Sequence, residues 1–181
     1  MRSDNPSGAD NQQETTRLDA RWVCGFVDGE GCFSVSIHRN RNARTTGGWQ
    51  VHPTFHVYQH VAHREVLEEL VRFFGCGTIR PKGGTSSVWT YSVDSIAKLE
   101  QTIVPFFERF PLVVKSADFE RFALIVGAMR RREHLASDGF TRVVQLAYGM
   151  NAQGKQRRRT IDEVLAGPSE TARQARFPRE R

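Results

Sequence analysis

Paired cysteines are missing from this chain. The three present, Cys24, Cys32 and Cys76, make no CxxC step. An odd count without metal-ligand spacing excludes a disulfide framework and a zinc ribbon, and reads as reduced, buried thiols. Long apolar runs are missing too. The longest uncharged one, residues 122–129 (FALIVGAM), falls well short of the roughly 20 residues a membrane span needs. The opening stretch MRSDNPSGADNQQETTR has no apolar segment of the kind a secretory signal carries. The expectation is a chain that is not secreted and has no membrane partner. It would be cytoplasmic in a bacterium, or in the matrix of an organelle that encodes it. Acids are scarce in two windows. None occurs from Gly31 to Arg64 or from Leu70 to Val93, and those windows hold Arg39, Arg41, Arg44, Arg64, Arg72, Arg80 and Lys82. The net charge is +6, and residues 127–181 carry 12 Lys/Arg against 6 Asp/Glu. Such a footprint suits a polyanion, most simply nucleic acid; a solvated surface with a basic tail is the plainer alternative.

What is present fits one domain of 181 residues. Residues 1–17 read as a flexible leader, 18–167 as the folded domain with its core in 18–132, and 168–181 as a basic, disordered tail. A first helix starts near Leu18 or Asp19 and ends at Gly29 to Gly31. Phe33, Val35 and Ile37 then alternate with Ser34, Ser36 and His38 as a strand. A polar loop over 39–48 leads to a second strand, about Trp49 to Gln59. An amphipathic helix follows over 63–75, with Val66, Leu67, Leu70, Val71 and Phe74 inward. The segment CGTIRPKGG reads as a short strand and turn, and SVWTYSV as a fourth strand. Helices are expected over about 95–107, 115–132, 141–150 and 160–166. This order predicts an α+β fold, an antiparallel four-stranded sheet with helices on one face. The other face would present Ser34, Ser36, His38, Asn40, His52, Thr54, His56, Arg80, Lys82, Thr90 and Ser92. All are polar and none is a carboxylate, which suits the edges of bases in a major groove. With Arg41, Arg44 and Gln50, these are the candidate DNA contacts. His52, His56 and His60 stand four apart, a zinc spacing on a helix. Pro53 and the alternation argue for a strand, where four residues span about 13 Å, too far to share one ion.

The stretch WVCGFVDGEGCF, residues 22–33, is the most informative. Gly25 and Gly29 are four apart and share a helix face. Glycine costs roughly 1 kcal/mol against alanine inside a helix, so it needs a reason. Close approach of a second helix supplies one, and a second copy of this chain is the natural partner. Two Glu30 carboxylates would then meet near the two-fold axis. Like charges at short range need a bridging cation, and Mg²⁺ is the hard, oxygen-seeking choice. The alternative is a left-handed helix cap at Gly29 or Gly31 with Asp28 and Glu30 merely solvated.

The segment VCGFVDGEG, residues 23–31, resembles the motif of the LAGLIDADG homing endonucleases. FHVYQH, EVLEELVRFFGCG, TIRPKG and PLVVKSADFERFALIV resemble further parts of that family, in its order. The resemblance implies α-β-β-α-β-β-α topology with a DNA-binding saddle in each subunit. It implies that Glu30 is the metal-binding catalytic carboxylate and that the Gly29 carbonyl also faces the metal. Gln59 would place the hydrolytic water, and Lys115 would stabilise developing charge at the rim. Asp28 matches a position that is mainly structural, and His63 stands where a second basic residue is often found. Val23, Cys24, Gly25, Phe26, Asp28 and Gly29 would form the dimer interface. A single motif implies a homodimer and a nearly palindromic target, cut to leave 3′ overhangs. Mg²⁺ is the expected cofactor, with Mn²⁺ able to substitute and Ca²⁺ supporting binding without cleavage. Other relatives of this fold bind intron RNA as maturases or regulate DNA without cutting it. The presence of Glu30, Gln59 and Lys115, and the lack of an appended helix-turn-helix signature, favour the nuclease.

Overall fold

The computed structural model describes residues 17–40, 42–45, 47–151 and 157–166. The expected leader (apart from Arg17), the tail and Arg41 lie outside the described residues. Helix α1 (Ala20–Glu30) is set by the Asp19 side chain, whose Oδ1 accepts from the N–H groups of Arg21 and Trp22, both at 2.9 Å. It runs directly into β1 (Gly31–Arg39). Gly31 makes that junction possible. A Cβ there would lie 2.6 Å from Val27 Cγ1 and 2.7 Å from Val27 O. Its backbone is extended, φ −83° and ψ 161°, so the glycine answers a lack of space and not a left-handed cap.

β2 (Trp49–His60) pairs antiparallel with β1, Gly31 opposite Val57 and Arg39 opposite Trp49. A 3₁₀ turn leads into α2 (Arg64–Phe74), which Gly75 closes. β3 (Thr78–Pro81) and β4 (Val88–Val93) complete a sheet of order β1-β2-β4-β3, all antiparallel. β4 pairs with β2 only from Phe55 to His60. The outer halves of β1 and β2 therefore extend as a two-stranded ribbon. Pro53 fits a central strand because the flank facing β4 is unpaired at its level.

The expected helix over 95–107 is interrupted. α3 (Ile96–Lys98) and α4 (Val104–Arg109) are joined by a π turn over Leu99–Ile103. Pro105 has no N–H to give Gln101, and the wider turn accommodates the loss. α5 (Ser116–Arg130), α6 (Ser137–Gly149) and α7 (Ile161–Leu165) lie close to the expected ranges. The helices cover one face of the sheet, as the sequence implied. Phe33 is the hub there, with ring centroids 5.2 Å from Phe55, 5.5 Å from Phe107, 5.4 Å from Phe119 and 5.2 Å from Phe122. Among the described residues no helix is long and apolar enough to cross a membrane.

Candidate nucleic-acid interface and active site

Helix α1 has three stripes, each with its own task. Val23 and Val27 point into the core and are 0% exposed. Val23 was expected at a dimer interface, and that expectation fails. It stands two residues from Gly25, about 200° around the helix, so its side chain faces the core. The second stripe is Cys24 and Asp28. The Cys24 thiol is 3.2 Å from the Phe110 carbonyl and donates to it. The Asp28 carboxylate accepts from the backbone N–H groups of Val113, Val114 and Lys115 at 2.8, 3.1 and 3.0 Å. Both residues therefore make polar contacts within their own chain, tying α1 to the segment from Phe110 to Lys115. Removing the carboxylate by Asp28→Ala should cost about 2 kcal/mol of stability, since three amide donors lose a charged acceptor. Chemical denaturation checks this; an unchanged midpoint would show the carboxylate to be idle.

The third stripe faces outward. Trp22, Gly25, Phe26 and Gly29 fall at helical spacing on it, and the Trp22 ring (41% exposed) stacks on Phe26 at 4.8 Å. A Cβ built on Gly25 or Gly29 meets nothing within 4 Å. Those glycines leave space that the chain itself does not use. The 113–115 segment, tied to α1 by Asp28, adds Val113 and Val114 at 85% and 76% exposure. Together these make an apolar surface around the exposed glycines.

Glu30 ends α1, exposed, with no hydrogen bond or ion pair among the described residues. The Lys115 ammonium donates to the Asp28 carbonyl and lies 3.4 Å from the Gly29 carbonyl. A cation thus sits at the negative end of the helix dipole. Gln59 closes the same end of the β1–β2 pair, two residues beyond the Gly31–Val57 pairing. Its Oε1 accepts from His60 N–H at 2.8 Å. The fold thus brings Gly29, Glu30, Gln59 and Lys115 to one end of the sheet. His63 stands apart in the 3₁₀ turn, 3.9 Å from Glu65.

The uncovered sheet face carries the expected rows. Ser36 pairs with His52, Ser34 with Thr54, and His38 with Gln50. Arg80 pairs with Thr90, and Ser92 with both His56 and Thr78. Arg44, Arg80 and Lys82 are exposed. Three findings differ from expectation. Thr54 is only 6% exposed, closed in by its neighbours, so it cannot read a base without a rearrangement. The face also has a carboxylate. Asp94, just past β4, lies 3.9 Å from His52. Third, Cys32 and Tyr58 belong to the same face and went unnamed as contacts. Strict alternation from Ser34 and His56 would have found both. Lys82 lies 4.4 Å over the Tyr58 ring, which itself stacks on His56 at 5.8 Å. Burial holds the His56 imidazole below its ordinary pKa, against the opposing pull of Asp94. Burial likewise raises the thiols of Cys24, Cys32 and Cys76, which are half-buried rather than fully buried.

The basic C-terminal clusters are mostly engaged within the chain. Arg130 pairs with Glu100 and Arg131 with Glu133, each at 2.7 Å. Arg157 donates to the Ala147 carbonyl and stacks on Tyr148, and Arg159 lies 5.3 Å over Trp49. These partners take up part of the positive charge that residues 127–181 carry. A charge run shows in sequence, but the partners of its members do not.

The chain, whose first helix carries Gly25 and Gly29, ends in an unpaired acid and runs straight into a polar sheet, matches the LAGLIDADG endonuclease family model over residues 23–126. The chain belongs to the LAGLIDADG family. It is 30% identical over 148 residues to homing endonuclease I-ApeII of Aeropyrum pernix, covering 80% of this chain and 86% of that one. The crystal structure of the homing endonuclease I-TnaI superposes with a TM-score of 0.72 at 37% identity, over 82% of this chain and 97% of that one. The archaeal intron-encoded homing endonuclease I-Vdi141I, in complex with DNA, gives 0.74 at 31% identity, over 81% and 92%. Of the residues predicted to be catalytic, Glu30 ends α1 and the Lys115 ammonium lies beside it at the Gly29 carbonyl.

Proposed function

We infer that this chain is a site-specific double-strand DNA endonuclease that acts as a homodimer. Two α1 helices would meet along Trp22, Gly25 and Gly29, flanked by Val113 and Val114. The observation that carries the reading is the pair of open glycines beside an unpartnered Glu30. Among the described residues no three His, Cys, Asp or Glu side chains group to hold a metal ion. One chain offers the Glu30 carboxylate and the Gly29 carbonyl, a hard-oxygen donor set suited to Mg²⁺ but half-complete. A second copy would supply the other half.

Divalent metal held there would lower the pKa of a water and neutralise the attacked phosphate. The chain's own residues do the rest. Glu30 would hold the ion near the two-fold axis, and the ion's positive charge would offset the repulsion between that carboxylate and the phosphate. Gln59, at the same end of the sheet, orients water by hydrogen bonding. The Lys115 ammonium stabilises charge that grows on the phosphate oxygens. The polar sheet face lies along the major groove and sets the register, with two-fold symmetry favouring a long pseudo-palindromic site. Replacing Lys115 by Met should lower the cleavage rate roughly a hundredfold while leaving the dimer intact. Equal rates for the two proteins would remove Lys115 from the mechanism.

The test is a selection from a pool of long randomised duplexes, incubated with protein and Mg²⁺. The expected products share one near-palindromic site and carry short 3′ overhangs. Binding without scission in Mg²⁺ would favour a DNA-binding regulator. Binding confined to structured RNA would favour a maturase.

A further inference from the structure

The β1–β2 loop, read in sequence as merely polar, contains a chain of hydrogen bonds that orients a base-reading amide. The Asn42 backbone N–H donates to Asn40 Oδ1 at 3.0 Å. A backbone N–H can only donate, so the Asn40 carboxamide is fixed with its oxygen toward Asn42 and its nitrogen away. That nitrogen, Nδ2, donates to Gln50 Oε1 at 2.6 Å. An NH₂ group can only donate here, so Gln50 is oriented in turn, its oxygen held by Asn40. The backbone around the pair is also tied. Asn40 N–H donates to the Gly48 carbonyl at 2.9 Å, Ala43 N–H to the Asn40 carbonyl at 2.9 Å, and Arg39 to the Gly47 carbonyl. Gln50 stands on the uncovered sheet face, opposite His38. Among the described residues its Nε2 has no partner.

We propose that Asn40 is a specificity-positioning residue: by holding Gln50 Oε1 it turns the Nε2 donors of Gln50 toward the major groove. A free glutamine reads adenine with both atoms, Oε1 accepting from N6 and Nε2 donating to N7. With one of its two lone pairs engaged and the amide held with Nε2 outward, Oε1 is turned away from that bidentate geometry, which is disfavoured. Gln50 then favours guanine, with two adjacent acceptors in O6 and N7, or thymine through O4, over adenine, whose N7 acceptor stands beside the N6 donor. It disfavours cytosine, whose major-groove edge offers only the N4 donor. In this role Asn40, itself among the candidate contacts, acts through Gln50. The inference rests on the reading of this sheet face as the DNA interface.

Base preference at each position of the selected site is measured for the wild type and for Gln50→Ala, Asn40→Ala and Asn40→Asp. Gln50→Ala locates the base pair that Gln50 reads, as the position where preference relaxes. In Asn40→Asp the carboxylate still accepts from Asn42 but now accepts from Gln50 Nε2 as well, which turns Oε1 outward. Preference at that base pair should shift from guanine or thymine toward adenine or cytosine by about fivefold or more. Asn40→Ala frees the amide and should admit adenine without losing guanine. The added negative charge of Asn40→Asp weakens binding to every sequence alike, so ratios between sequences are compared. An unchanged preference profile in both Asn40 variants overturns the proposal, as does a Gln50→Ala profile equal to wild type. A wild type that selects no DNA site overturns the nuclease reading itself, which is a different outcome.

Discussion

Glu30→Gln should abolish cleavage, lowering the rate at least about a thousandfold, on the order of 4 kcal/mol in the barrier. The amide keeps the size and shape of the side chain but not its charge. Glu30 has no partner within its own chain among the described residues, so folding has little to lose. In a symmetric dimer the change removes both carboxylates at once. Affinity for the target in Ca²⁺, which the proposed function assigns to the sheet face, should stay within a few-fold of wild type. Gel-shift titration and single-turnover cleavage of one duplex measure the two quantities separately. Cleavage that survives the change would remove Glu30 from the chemistry. Loss of binding in step with cleavage would make it a structural residue.

Gly25→Leu should leave the monomer as stable as before, or slightly more so, and break the proposed dimer. The first half follows from the helix. A side chain at Gly25 meets nothing within 4 Å, and an exposed helical glycine replaced by leucine gains up to about 1 kcal/mol. The second half follows from close approach. Two leucines forced between helices that touch along glycine would hold their backbones apart, together with Gly29 and Glu30 one turn further on. Dimer dissociation should rise at least a hundredfold, about 3 kcal/mol, with cleavage falling to match. Sedimentation equilibrium and thermal denaturation report the two halves independently. A substitution that stabilises the chain while removing its activity is hard to explain by misfolding. A Gly25→Leu variant that still dimerises and cuts would show that α1 does not face α1.

Much of this was legible in the sequence, and the parts that were not share a physical cause. Period-two alternation located β1 and β2 closely, because one face of the sheet is buried and a slip of one residue would invert it. The gap left by Gly25 and Gly29 could be read because glycine within a helix costs energy and so needs a reason. Val23 was misassigned because a contiguous motif is not a contiguous surface. Its neighbour Cys24 faces Phe110, and Gly25, one residue further, faces outward. Asp94 escaped notice because it follows immediately after an acid-free window, while the β4 pairing places it beside His52. Arg130, Arg131, Arg157 and Arg159 count in the sequence only toward the basic excess of residues 127–181, and their partners are Glu100, Glu133, Ala147 with Tyr148, and Trp49. Most of these pairings join segments apart in sequence, and no local pattern announces them. The amide chain from Asn42 through Asn40 to Gln50 is a case of the same kind, closed across a hairpin loop.

The mass of the protein–DNA complex in Ca²⁺, taken by light scattering or native mass spectrometry on a selected duplex, decides whether cutting needs two chains. Two 20.6 kDa chains on one duplex for the wild type, and fewer for Gly25→Leu, are the predicted result. One wild-type chain on a duplex that is nonetheless cut in both strands would contradict it.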